Sequence, residues 1–267
     1  MNHTGLEHLT SKGCEIVKEV GKFIKSERGK VSFDQIEEKG LNSLVSYVDK
    51  TAEEKLVSQL AALLPESTFL TEEETVEQKT GKFRWIIDPL DGTTNFLHQL
   101  PCYAVSVALE IEGSMKVGIV YEPNNDECFY AYAGGGAYLN GHPIKVSTTE
   151  KLENALVATG FPYHDYRRET AYFKAFNQFM KNTRGIRRWG AAAVDLAYVA
   201  CGRFDAFYEY GLNAWDVAAG TLIVKEAGGK VADFNGGKNY LFGKEMIASN
   251  QNLFESAKKI ISEAFQP

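Results

Sequence analysis

Apolar positions recur at helical spacing from about residue 6 to 28, with Ile16, Val17, Val20, Phe23 and Ile24 on one face and Lys18, Glu19, Lys22 and Lys25 elsewhere. That period predicts an amphipathic helix stopped at Gly29. Residues 30–48 are mixed: Lys39-Gly40, then Leu44-Val45-Ser46-Tyr47-Val48, predict a turn and a short extended piece. Asp49 or Thr51 then caps a second helix, with Thr51 and Glu54 spaced as a capping box. Leu56, Leu60, Leu63 and Leu64 give that helix its buried face, and Pro65 ends it. Residues 67–71 suit a short strand. Residues 83–87 form an apolar run whose only charge is Arg84, a buried strand that Pro89 is expected to end.

From Tyr103 to Val146 the pattern is an antiparallel meander. Its apolar runs are broken at Glu112-Gly113, at Pro123-Asn124-Asn125-Asp126, at Gly134-Gly135-Gly136 and at Asn140-Gly141. The triple glycine lies between strands rather than between a strand and a helix, which argues against a nucleotide loop. After Asn154 strands and helices alternate. Strands are predicted at 155–159, 204–208, 230–234 and 246–249, and helices at 165–180 and 189–201. Another helix begins at Asn213 or Ala214 and stops at Gly228-Gly229, and Asn250 caps a last one with Leu253, Ala257, Ile260, Ile261 and Phe265 inward. Two halves follow, 1–146 with mixed α+β character and 147–267 with α/β character, forming one continuous unit.

Composition narrows the function classes. The chain has 267 residues, 44% hydrophobic and 24% charged, with a net charge of −6 and only short Lys/Arg clusters. Backbone binding to nucleic acid needs a basic surface, so nucleic acid is not the expected partner. Cys14, Cys102, Cys128 and Cys201 are widely spaced and form no Cys-x-x-Cys, which predicts a reduced, cytoplasmic protein. The N-terminus has no basic-then-apolar leader pattern, and no apolar run approaches membrane-spanning length.

The candidate chemistry sits where apolar strands run into acids. Asp88 follows Ile86-Ile87, Asp91 comes three residues later, and Glu72-Glu73-Glu74 follows Phe69-Leu70. Acids emerging from the ends of neighbouring strands can converge on one ion, and hard divalent cations such as Mg²⁺ favour oxygen ligands. Gly92, Thr93 and Thr94 offer amides at the start of a short helix, an anion site of phosphate size. Asp216 lies in the first turn of an otherwise apolar helix. Each feature also has an ordinary structural explanation. Asp-Gly is a hairpin turn pair, three acids form a solvated loop, and an acid suits a helix N-terminus.

Taken together, they resemble a family. Trp85-Ile86-Ile87-Asp88-Pro89-Leu90-Asp91-Gly92-Thr93-Thr94-Asn95-Phe96 is similar to the first signature of the inositol monophosphatase family. Trp215-Asp216-Val217-Ala218-Ala219-Gly220 through Glu226-Ala227-Gly228-Gly229 is similar to the second, and Thr71-Glu72-Glu73 resembles its Gly-Glu-Glu element with threonine for glycine. The order and spacing agree over nearly the whole chain. The resemblance implies alternating layers of helices and sheets, the sugar-phosphatase-like fold, with the site between the halves. It also implies two or three Mg²⁺ ions. Glu72, Asp88 and the Leu90 carbonyl would hold one, and Asp88, Asp91 and Asp216 another. Thr93 and Glu72 would orient and deprotonate the attacking water. The Gly92 and Thr93 amides, beside Thr94, would take phosphate oxygens, and Ala192, Glu209 and Asp216 would contact the substrate.

The expected activity is therefore Mg²⁺-dependent hydrolysis of a small-molecule phosphate ester, inositol monophosphate first, because Thr94-Asn95-Phe96 fits that branch of the superfamily. Fructose 1,6-bisphosphate, histidinol phosphate, and 3′-phosphoadenosine phosphates or NADP are alternatives. A non-catalytic binding or regulatory protein on the same fold is another, although all four metal-ligand acids are present. A homodimer and lithium sensitivity are further expectations from the resemblance.

Overall fold

The structure is a computed structural model that describes residues 2–40, 43–163 and 165–265. Two sheets alternate with three pairs of helices. The first pair, α1 (His3–Glu27) and α2 (Tyr47–Leu63), covers the outer face of a seven-stranded sheet. Its strands run in sequence order: β3 (Thr68–Thr71), β4 (Phe83–Asp91), β5 (Ala104–Ile111), β6 (Ser114–Glu122), β7 (Glu127–Tyr132), β8 (Gly136–Leu139) and β9 (His142–Ile144). All neighbours are antiparallel except β3 and β4. A hairpin of β1 (Ile36–Gly40) and β2 (Ser43–Ser46) leads into α2, and the short helix α3 (Thr93–Leu97) follows β4.

The middle layer is α5 (Ala192–Ala200) and α6 (Ala214–Glu226), which pack against both sheets. Behind them lies a mixed five-stranded sheet ordered β11 (Gly185–Arg187), β10 (Leu156–Thr159), β12 (Ala206–Tyr210), β14 (Glu245–Ser249) and β13 (Lys230–Ala232). Its far face carries the last pair, α4 (Glu169–Asn182) and α7 (Phe254–Phe265). The expected alternation of helical and sheet layers is the observed fold.

Burial explains the sequence patterns. Along β4, Trp85 and Ile87 face α1 and α2, whereas Ile86 faces the middle layer, so the run is apolar without alternation. All nine residues of α5 are buried, and α6 is buried from Val217 to Val224. A helix between two sheets has no solvent face, and its alanines and glycine let both sheets approach closely. Each large side chain buried this way, such as Trp85 or Phe129, contributes about 1.5–3 kcal/mol.

Several boundaries differ from the sequence expectation. α2 starts earlier than Asp49 or Thr51: Ser46 is the N-cap, and Asp49 completes a capping box with it, accepting from Ser46 N at 2.9 Å. Pro89 does not end β4. The ladder shifts register between Asp88 and Asp91, so the missing N–H of Pro89 falls where no regular bond is needed. Strand β11 carried too short a signal to be predicted, and Glu209 lies within β12 rather than after it. Residues 41 and 42 of the segment from Lys39 to Asp49 lie outside the described residues. Among the described residues, no helix is long and apolar enough to cross a membrane.

Candidate active site

Parallel pairing of β3 with β4 sets the first carboxylates side by side. The Glu72 amide donates to the Ile87 carbonyl at 3.3 Å, so Glu72 leaves its strand beside Asp88. Their proximity makes each carboxylate costly to ionise beside the other. Asp88 is 2% exposed, and burial holds its carboxyl far above the ordinary range, with Glu72, Asp91 and Asp216 adding repulsion. Asp216 arrives from the opposite side, in the first turn of α6, and its carboxyl is raised by burial and then by Asp91 and Glu72. The structure thus gathers Glu72, Asp88, Asp91 and Asp216 into one region.

Each aspartate accepts from the backbone. Leu90 N donates to Asp88 Oδ1 at 2.9 Å, Ala193 N to Asp91 Oδ2 at 2.6 Å, and Asn213 N to Asp216 Oδ2 at 2.6 Å. Burial lifts Asp91 to about 6, opposed by the Ala193 and Ala192 amides of α5 and by Arg188. The donors are hard oxygens carrying like charge in a buried place, the chemistry that suits a divalent cation. Among the described residues no three Asp, Glu, His or Cys side chains are close enough as they stand to grip an ion.

Thr93 links this cluster to α2. Its Oγ1 lies 3.0 Å from Asp49 Oδ1 and 3.0 Å from the Leu90 carbonyl. The other Asp49 oxygen takes both the amide and the hydroxyl of Ser46, and burial raises the Asp49 carboxyl. Gly92, the N-cap of α3, has φ +92°, and a Cβ there would meet the carbonyls of Cys102 and Gly190 at 3.0 and 3.2 Å. Only glycine fits this turn without strain. The amides of Gly92, Thr93 and Thr94 lie at the opening of α3, but the Thr94 side chain is exposed.

A cavity of about 210 Å³ opens beside the carboxylates, lined among others by Glu72, Asp91, Arg188, Ala192, Glu209 and Asp216. Burial lifts the Glu209 carboxyl to about 8, Arg188 opposing and Asp91 adding. Gly160 leaves room for it, since a Cβ there would lie 2.1 Å from the Glu209 carboxyl. The loop before α5 is tied to α3: Asn95 Nδ2 donates to the Cys102 and Trp189 carbonyls at 2.8 and 3.1 Å. The sequence pattern missed Asp49, which accepts from Thr93, and Arg188 and Asp195, which line the cavity. Asp49 had the signal of a helix cap, Arg188 had none, and Asp195 was a lone acid in an alanine-rich helix that could have been singled out.

A sequence model of the inositol monophosphatase family matches residues 5–265. Nus factor SuhB of Escherichia coli (strain K12) is 43% identical over 220 residues, 82% of each chain. Inositol-1-monophosphatase of Mesorhizobium japonicum is 39% identical over 91% of this chain and 92% of that protein. Among solved structures, extragenic suppressor protein suhB of Bartonella henselae is similar with a TM-score of 0.89 and 39% identity, covering 93% of this chain and 96% of that one. The IMPase of Thermotoga maritima gives a TM-score of 0.86 at 36% identity, covering 94% and 95%.

Proposed function

The chain belongs to the inositol monophosphatase family, and from that premise we propose that it hydrolyses the phosphate monoesters of small polyols with Mg²⁺, inositol monophosphate first. The observation that supports this reading is that Glu72, Asp91 and Asp216 line one cavity, with Asp88 buried next to them. These carboxylates, with the Leu90 carbonyl, would hold the metal. Bound Mg²⁺ neutralises phosphate charge and lowers the pKa of water. Around it, the amides of Gly92 and Thr93 orient phosphate oxygens, because the first turn of a helix has no carbonyl partner for them. Thr93 would orient the attacking water through its hydroxyl, with Glu72 on the other side, taking the water's proton as its own hydroxyl proton passes to Asp49 Oδ1, 3.0 Å away. Glu209 and the wall at Ala192 receive the hydroxyls of the alcohol.

The test is phosphate release over a panel containing inositol 1-phosphate, fructose 1,6-bisphosphate, histidinol phosphate, 3′-phosphoadenosine 5′-phosphate and NADP. Turnover that requires Mg²⁺ and stops in EDTA is the expected result, with inositol 1-phosphate fastest. Adding LiCl to the same assay and measuring sedimentation read lithium inhibition and a homodimer, both of which family membership suggests.

A second reading rests on the relatives named Nus factor SuhB: a binding or regulatory role on the same fold. Retention of all four carboxylates favours the phosphatase, since a scaffold has no use for the repulsion they cost. No turnover on any ester, with or without Mg²⁺, would overturn the first reading and leave the second.

A further inference from the structure

Glu53 is fully buried in α2, yet no described cation pairs with it. Its partners are three donors on the loop that follows β3. Glu73 N donates to Oε2 at 2.7 Å, and Thr75 N and Thr75 Oγ1 both donate to Oε1 at 2.8 Å. Between those residues Glu74 has φ +52°, the left-handed region that costs a residue with a side chain. The loop's other end is closed by Gln78, whose Oε1 accepts from Thr71 N at 2.8 Å and whose Nε2 donates to Thr71 Oγ1 at 3.0 Å. Glu72 lies between these two fastenings.

We propose that Glu53 is a positioning residue that sets the Glu72 carboxylate for divalent-cation binding, by anchoring the backbone on the side of Glu72 away from the sheet. A buried charge is costly unless every lone pair is used, and here a carboxylate is the one group that accepts from all three donors. Glutamine in its place would turn an NH₂ toward an N–H and release Glu73 or Thr75. The backbone of Glu72 would then keep its bond to Ile87 and the fastening at Thr71 but lose the anchor on its other side.

The inference rests on the metal reading above, and the experiment separates the two. Mn²⁺ binding is titrated by electron paramagnetic resonance on the full chain as wild type, Glu53→Gln and Leu60→Ala. Leu60 is buried on the same helix, about two turns beyond Glu53, and its apolar side chain donates and accepts no hydrogen bond, so its variant reports loss of packing. Glu53→Gln is expected to weaken Mn²⁺ binding about tenfold or more, as removal of a group that orients a metal ligand does, while Leu60→Ala binds as wild type. With Mg²⁺ saturating, Glu53→Gln should lower kcat and leave KM for the ester unchanged. Equal Mn²⁺ affinity in folded Glu53→Gln, or an equal loss in Leu60→Ala, overturns the inference. If Glu53→Gln does not fold, Thr75→Val removes one of the three donors and decides: a loss of about threefold supports positioning, and no change overturns it. Absence of Mn²⁺ binding by the wild type would instead bring down the metal reading itself, and the inference with it.

Discussion

Thr93 and Asp49, 44 residues apart, meet with Oγ1 and Oδ1 3.0 Å apart. The hydroxyl has one hydrogen and stands at equal distance from the Leu90 carbonyl, so it can turn from one acceptor to the other. A hydroxyl backed by a carboxylate can take a proton and give one on. Thr93→Val should lower kcat roughly 10²-fold, within the usual range for acid–base groups, with KM little changed. Asp49→Asn should match that loss and also lower the melting temperature, because Asp49 completes the capping box of α2. Steady-state kinetics and thermal denaturation read the two effects separately.

The crowded carboxylates make opposite predictions with and without metal. Burial and three acidic neighbours raise the Asp88 carboxyl, so its charge opposes folding when no cation is bound. Asp88→Asn should therefore raise the melting temperature in EDTA by a few degrees, the response to about 1 kcal/mol in a chain of this size. The same variant should lose Mg²⁺-dependent phosphate release and gain no stability from added Mg²⁺, whereas the wild type gains it by mass action. Differential scanning fluorimetry with a Mg²⁺ series checks both halves.

Stability of the metal-free protein should fall as pH rises. Glu209 moves from its ordinary 4.5 to about 8 on folding, and Asp91 from 3.8 to about 6. The native state then binds more protons than the unfolded state between those values, so the slope of unfolding free energy against pH is negative there. The Glu209 contribution is fully present below about pH 4.5 and gone once pH has passed about 8. Urea denaturation in EDTA across this window should show a shallower decline for Glu209→Gln than for the wild type.

Gly160 offers a way to disturb substrate recognition without disturbing the fold. A Cβ there would strike the end of the Glu209 side chain rather than backbone, and that end can swing aside. Gly160→Ala should raise KM for a polyol phosphate about tenfold, by loss of a charged hydrogen bond, and leave KM for a phosphate ester without hydroxyls unchanged. Kinetics on the two ester classes, with circular dichroism as a check on folding, decide it.

Local pattern reaches some of this and not the rest. Glu72 and Asp88 each follow an apolar strand, and their adjacency needs only that the two strands be neighbours, which β3 and β4 are. The meander is legible for the same reason, since each of its turns carries its own chemistry. The start of α2 is not. Asp49 has the residue type of a cap, but Ser46 takes the position because Asp49 is drawn to Thr93 and back to Ser46 at once. Pro89 reads as a strand end because a proline breaks a regular ladder, and only the register shift opposite β5 accommodates it. Glu53 resembles any solvent-facing helix glutamate until the loop that it anchors is folded against it.

The middle layer has a cost in time. Ile86, Ala104, Ala108, Val120, Phe129 and Ala131 on the seven-stranded sheet are covered by α5 and α6, which are encoded after that sheet is complete. During synthesis one side of the finished sheet emerges from the ribosome bare, and it stays so until residue 226 has been added. Exposed apolar strands at that stage favour aggregation. For this protein, the hazard of sticking to a neighbour is concentrated in the seconds of its synthesis, at about 5–20 residues per second.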